Sequence, residues 1–361
     1  MEMQLNQLRN RDVYVDFIRT VAIVFVLFLH SSGRWLITSQ ELHQLTLSEF
    51  VGWSIVDIYQ SIGVIGAPLF VMLSGALLLQ PGKTEPLTSF FKKRWARIGL
   101  PFFFWSAIYF VWVFVVQKAP FSIEAVVQGL LNGPYTQFWY IYVLVGIYLW
   151  TPILRIFLNH ADPKMVKYFI IIWLFGASLI PFFDLLTIFQ LHRDVFTITG
   201  FVGYFVLGSY LTTVNVRRST VVKMLFAGLA LTSVGTYVMA TTGGGQGMYF
   251  FQEYLSPTVI LSTSMVFLLL LQIKLPSVQN QNSQSKLDKL VTIIGQNTLA
   301  LYLVHVLILE TFQKGYLLFA INRETLNPIV QVPLLTVIVL FASLATILLL
   351  KKVPYLNKLI G

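Results

Sequence analysis

Residues 13–32, VYVDFIRTVAIVFVLFLHSS, read as a membrane-spanning helix that carries charge. A run of this length matches the hydrocarbon core of a bilayer, yet Asp16, Arg19 and His30 interrupt it. Each charged side chain in the middle of such a helix costs about 2.5 to 3.5 kcal/mol on insertion scales, so it needs a structural or functional reason. Arg19 and His30 stand eleven residues apart, close to three full turns, so both lie on one face and differ by about 16 Å in depth. Asp16 lies one turn before Arg19 on the same face. One helix therefore carries a polar seam, with an acid and a guanidinium near one end and an imidazole near the other.

The whole chain shares the character of that stretch. Of its 361 residues, 56% are hydrophobic and only 11% charged, and the mean hydropathy is +0.74. A soluble domain has about a quarter of its residues charged and no core able to hide so much apolar surface, so the bilayer serves as solvent. The chain reads as an all-α, polytopic membrane protein forming a single membrane-embedded domain over residues 1–361. It has no cysteine, which excludes disulfides, thiolate nucleophiles and thiolate metal sites. Its five histidines, at positions 30, 43, 160, 192 and 305, form no HxxxH pair, and no metal is expected. The net charge of +10 does not point to nucleic acid, because the basic residues sit in short loops between apolar spans. No short apolar core followed by a small-residue cleavage site opens the chain, so the first helix is expected to stay attached.

Apolar runs of about 20 residues give ten helices, at 13–33, 56–80, 98–117, 137–158, 165–184, 197–214, 221–241, 254–274, 297–319 and 330–351. With a cytoplasmic N-terminus the positive-inside rule holds at every loop. The inner loops collect Arg9 and Arg11, then Lys83, Lys92, Lys93, Arg94 and Arg97, then Arg155, Lys164 and Lys167, with further lysines and arginines in each later one; only Arg34, Lys118, Arg193, Lys314 and Arg323 remain outside. Both termini are therefore expected in the cytoplasm. The segment 81–97, PGKTEPLTSFFKKRWAR, opens with Pro-Gly and ends in a basic, aromatic run, so its second half is expected as an interfacial helix. The polar stretch 275–289, LPSVQNQNSQSKLDK, reads as a flexible linker. No internal repeat is visible, which counts against an inverted-repeat transporter.

Chemistry has few places to reside. The His30 imidazole exchanges a proton near neutral pH and suits a general base for a hydroxyl nucleophile; the plainer reading is a histidine bonded to a neighbouring helix. Arg19 cannot lose its charge and needs an anion beside it, either Asp16 as a structural partner or a ligand. Arg94 and Arg97 lie one turn apart on one face, a spacing that grips phosphate oxygens while Lys93 adds field, unless they are ordinary topology anchors. In the ninth helix, GQNTLALYLVHVLILETF, Asn297, Tyr302 and His305 place polar groups in an apolar span. His305 is expected about 12 Å below the cytoplasmic surface by helical rise, lining the first helix's cavity or bonding between helices. Trp139, with Tyr140 and Tyr142, belongs to an outer aromatic belt or stacks on a sugar ring. Ser74-Gly75 marks a close helix approach.

These pieces together resemble the acyltransferase 3 family of bacterial integral membrane O-acyltransferases, in its short members without an extracytoplasmic hydrolase-like domain. The resemblance rests on VDFIRTVAIVFVLFLH, with Arg19 and His30 in the family's Arg, ten residues, His pattern; on PLFVMLSGALL; on Arg94 and Arg97 as its Arg-x-x-Arg pair; on FWYIYVLVGIYLWTPILR; and on GQNTLALYLVH. It implies a protein of the bacterial plasma membrane that transfers an acyl group, commonly acetyl, from cytoplasmic acyl-coenzyme A to a hydroxyl of an extracytoplasmic glycan or lipid-linked sugar. The family's essential His and Arg fall on His30 and Arg19, and its phosphate-side arginines on Arg94 and Arg97. Tyr302 and His305 match its late motif without an assigned step.

The reading that combines these residues has acetyl-coenzyme A docking on Arg94, Arg97 and Lys93, with His30 deprotonating the acceptor and Arg19, held by Asp16, orienting the donor. Trp139, Tyr302 and His305 are candidates for the cavity wall. The alternative is a proton-coupled transporter or exporter of glycan or lipid-linked sugar, using Asp16, Arg19 and His30 as a relay.

Overall fold

The computed structural model describes residues 12–33, 35, 38–82, 85–186, 200–242, 245–273 and 285–361. Among them there are helices and no strands. The first helix, α1 (Asp12–Ser32), is followed by a short α2 (Ser39–Gln44) and by α3 (Leu47–Gly63) and α4 (Gly66–Leu78). Next come α5 (Leu87–Val111), α6 (Ile123–Asn132), α7 (Trp139–His160), α8 (Pro163–Leu174), α9 (Ile180–Leu186) and α10 (Gly200–Leu211). The chain closes with α11 (Arg218–Thr242), α12 (Pro257–Leu271), α13 (Lys286–Gln296), α14 (Thr298–Gln313), α15 (Pro328–Leu350) and α16 (Leu356–Leu359).

Among the described residues, eight spans are long and apolar enough to cross a membrane, α13 and α14 pass the same test only when taken together as a bent pair, and α10 is a shorter apolar helix. The all-α polytopic architecture expected from composition is therefore the one observed. Several boundaries differ. The second span begins at Leu47, where Thr46 and Glu49 form a reciprocal capping box. The basic run 92–97 is no separate interfacial helix: it forms the first turns of α5, continuous through Pro101. Arg155 lies within α7, almost buried, rather than in a loop. Residues 197–199 of the sixth expected helix, and 275–284 of the expected linker, lie outside the described residues. The linker's last residues are already helical, because Ser285 and Asp288 cap α13 reciprocally.

The ninth expected helix, 297–319, is observed as α14, Thr298–Gln313, ending earlier than expected and preceded by the separate helix α13. Asn297 sits at a break where α13 and α14 meet at 82°, and its amide donates to the Ile293 carbonyl at 2.7 Å. That bond satisfies a carbonyl at the C-terminal end of α13 that the break deprives of its helical partner.

The first helix is the hub. Tyr14, Ile18, Ala22, Ile23, Val26 and Leu27 are all buried at helical spacing, and α1 packs against α3, α4, α13, α14 and α15. Gly295 lets α13 reach it, since a Cβ there would fall on the backbone and Cβ of Asp16. The expected close approach at Gly75 is also present: a Cβ on Gly75 would strike the Phe205 backbone, and one on Gly208 the backbone of Met72, so α4 and α10 touch main chain to main chain.

Candidate active site

Two helices bring three arginines to one cavity. Arg19 of α1, with Arg94 and Arg97 of α5, lines a space of about 120 Å³ together with Ser74 of α4, Tyr140 and Tyr148 of α7, and Thr298 and Tyr302 of α14. Arg19 and the Arg94/Arg97 pair, 75 residues or more apart in sequence, thus share one site.

The charges around this cavity do not balance. Arg19 is answered by Asp16, with its Nη1 at 3.1 Å from Oδ1. The guanidinium of Arg94 lies over the rings of Phe90, at 4.9 Å, and Tyr148, at 5.6 Å, and its buried Nε has no hydrogen-bond partner among the described residues. The nearest acid along the chain, Glu85, is engaged elsewhere: its carboxylate accepts from Lys93 Nζ at 2.6 Å and stands 4.0 Å from Arg155. The Lys93 hydrogen bond, followed by the fields of Lys93, Arg94 and Arg155, holds the Glu85 carboxyl below the usual carboxylate range. Lys93 is consequently turned to Glu85 and does not line the cavity. Three guanidiniums line the cavity and, among the described residues, no carboxylate does, Asp16 being bonded to Arg19 and Glu85 to Lys93, which makes a site suited to an anion.

A chain of rings leads from the cavity to the histidines. Tyr140 and Tyr302 stand 5.1 Å apart between centroids, Tyr302 and His305 5.6 Å, and His305 and His30 4.8 Å in an edge-to-face arrangement. His30 is half-buried and His305 fully buried. His30 Nδ1 donates to the Val26 carbonyl at 2.8 Å, and His305 Nδ1 to the Tyr302 carbonyl at 2.6 Å. A carbonyl only accepts, so each Nδ1 carries the hydrogen, and each neutral ring presents a free lone pair at Nε2. That of His305 has no partner among the described residues. The arrangement offers a base held by its own helix, beside a second one.

By helical rise His305 is expected about 12 Å below the cytoplasmic surface, lining the first helix's cavity or bonding between helices; it touches His30, at the far end of the polar seam. Rise along a helix measures depth only when the helix follows the membrane normal, and the 82° break means that α13 and α14 cannot both do so. Trp139 does not line the cavity: it packs against Tyr254 at 4.9 Å, Phe201 at 5.5 Å and Tyr140 at 5.8 Å. Tyr140 is buried in the cavity wall instead of standing in an outer belt. Tyr148, Ser74 and Thr298 were not singled out from the sequence as site residues. A signal for Tyr148 existed, because Tyr140, Leu144 and Tyr148 fall at i, i+4 and i+8 and therefore share one helix face.

Tyr302 is fixed from the other side. Its hydroxyl donates to the Gln137 carbonyl at 2.8 Å, and Gln137 Nε2 and the Tyr109 hydroxyl donate to the Leu303 carbonyl at 3.3 and 2.8 Å. These bonds tie α14 to the turn before α7 and to α5.

Among families of known proteins, the chain matches the model described as an acyltransferase domain of the acyltransferase 3 type, over residues 12–348. No curated protein and no solved structure matches it.

Proposed function

The chain belongs to the acyltransferase 3 family, and on that premise we propose that it is a membrane O-acyltransferase moving an acetyl group from acetyl-coenzyme A, or another acyl group from its acyl-coenzyme A, to a hydroxyl of an extracytoplasmic glycan or lipid-linked sugar in a bacterial plasma membrane. The observation that carries the reading is the charge of the cavity wall, which holds Arg19, Arg94 and Arg97 and, among the described residues, no carboxylate. The donor's phosphates are the natural complement. The cavity is well below the roughly 300 to 1,000 Å³ of a site that encloses a drug-sized ligand. It therefore takes one group of the donor, while the remainder lies against the exposed face of Arg97, Lys92 and Lys93.

His30 serves as the general base. Its Nε2 takes the acceptor hydroxyl's proton as the oxygen attacks the thioester carbonyl; the carbon–sulfur bond breaks, and the coenzyme A thiolate leaves and is protonated. His305 stands one ring away and receives the proton in turn or holds the acceptor. Arg19, fixed by Asp16, orients the donor. A general base contributes only about 10² to 10⁴ in rate, so positioning in a dry cavity supplies much of the rest.

The test is calorimetry in nanodiscs with acetyl-coenzyme A and a longer acyl-coenzyme A. Wild type is expected to bind, and Arg94→Ala/Arg97→Ala to bind at least roughly tenfold more weakly, since each charge-assisted bond is worth about 1.5 to 3 kcal/mol. Failure of wild type to bind either donor overturns the reading and favours a proton-coupled sugar transporter.

A further inference from the structure

A second, apolar recess adjoins the arginine cavity. It lies between α5 and α7, measures about 390 Å³, and runs from Phe91 to Phe103 along one wall and from Tyr142 to Leu149 along the other. Twelve residues of helix separate Phe91 from Phe103, a length of about 18 Å. The side chains along it face outward from the protein: Trp95 is 64% exposed, Phe103 52% and Val145 46%. Gly99 leaves the floor bare, and the Trp95 indole lies against it.

One feature separates this recess from ordinary lipid-facing surface. Among the described residues its only charged lining residue is Arg94, near the N-terminal end of α5 one turn from Phe91. That guanidinium lies against the rings of Phe90 and Tyr148 and keeps a buried Nε without a partner among the described residues. A long, narrow apolar channel with a guanidinium at one end, whose buried Nε has no hydrogen-bond partner among the described residues, is complementary to an anion with a hydrocarbon tail. The charge sits at the end of the span, where a lipid headgroup lies, and the apolar length extends toward the bilayer centre.

We propose that this groove is a lipid-binding site, which holds one acyl chain of an anionic glycerophospholipid between α5 and α7 with the phosphate on Arg94. Arg94 and Tyr148 line both the groove and the arginine cavity, so the lipid phosphate and the anion of the cavity meet at one guanidinium. The site does not depend on which anion the cavity takes.

The experiment uses the full-length protein in vesicles of equal phosphatidylglycerol and phosphatidylcholine, extracted into mild detergent, with bound lipid counted by native mass spectrometry. Wild type is expected to retain phosphatidylglycerol over phosphatidylcholine. Val145→Trp fills the groove without touching the cavity and is expected to lose the retained lipid while keeping any donor binding of wild type. Arg94→Gln is expected to lower the preference for the anionic lipid about fivefold, the effect of one cation near the membrane surface. Equal retention of the two lipids by wild type, or retention by Val145→Trp at the wild-type level, overturns the proposal. So does displacement of the lipid by palmitoyl-coenzyme A but not by acetyl-coenzyme A, which assigns the groove to the donor's chain.

Discussion

Two polar clusters in the bundle treat charge in opposite ways. Near the end of α14, the Glu310 carboxylate accepts from Trp112 Nε1 at 2.9 Å, Gln117 Nε2 at 3.0 Å, the Tyr135 hydroxyl at 2.5 Å and Lys314 Nζ at 3.1 Å. Every lone pair direction is used, and the cluster staples α5, the turn before α7 and α14 together. The arginine cavity is the reverse: among the described residues it gathers three cations, a carboxylate bonded to one of them, and a buried nitrogen with no hydrogen-bond partner. A charge that serves the fold is answered by the fold, because an unpaired group in a low dielectric is costly. A charge left unanswered points to something that arrives from outside.

That contrast is breakable by substitution. The largest effect is expected at His30: His30→Ala should lower acyl transfer about 10²- to 10⁴-fold while leaving donor binding intact, measured as acetate transferred per inserted molecule. Retained transfer would remove the base from the mechanism. Next, donor binding should fall steeply with salt in wild type and much less in Arg94→Ala/Arg97→Ala, because those guanidiniums supply the screened attraction; equal salt slopes would mean that they are topology anchors.

Glu310→Gln should act on the other cluster, costing about 1 to 3 kcal/mol of stability by leaving donors short of an acceptor. Thermal unfolding in detergent should show the loss while transfer per folded molecule is unchanged, and a specific loss of activity would erase the distinction drawn between the clusters. The smallest effect belongs to Glu85. Its pairing with Lys93 lowers its pKa in the folded state, so the pair stabilises above the unfolded-state pKa and is lost as pH falls through the folded value. Glu85→Gln should therefore lower the thermal midpoint slightly at neutral pH and match wild type in acid. A difference that persists in acid would assign Glu85 another role.

Much of this arrangement was legible in the chain because a membrane restricts the options. A charged residue within a span is expensive wherever it occurs, so Asp16, Arg19 and His30 stood out from their neighbours without any knowledge of the fold. The spacing of Arg94 and Arg97 gave their common face. Less could be read where the backbone leaves the straight path. Asn297 stands at the start of the expected ninth helix, but that a second helix precedes it at 82° is not written in the local pattern; only the crossing of α13 over α1, permitted by Gly295 at Asp16, gives the bend a reason. Trp139 had the composition of a sugar-stacking platform, yet its neighbours are other aromatic side chains, and those come from α10 and the turn before α12.

The sequence by itself determined that the chain is helical and membrane-embedded, and which residues are too polar for their surroundings, since both follow from the local cost of exposing backbone or charge to lipid. Only the tertiary structure decided which of those residues meet. Convergence of Arg19 with Arg94 and Arg97, and of His30 with His305, depends on where helices cross and bend, and that is fixed by close backbone packing between segments far apart in the chain rather than by the periodicity of any one of them.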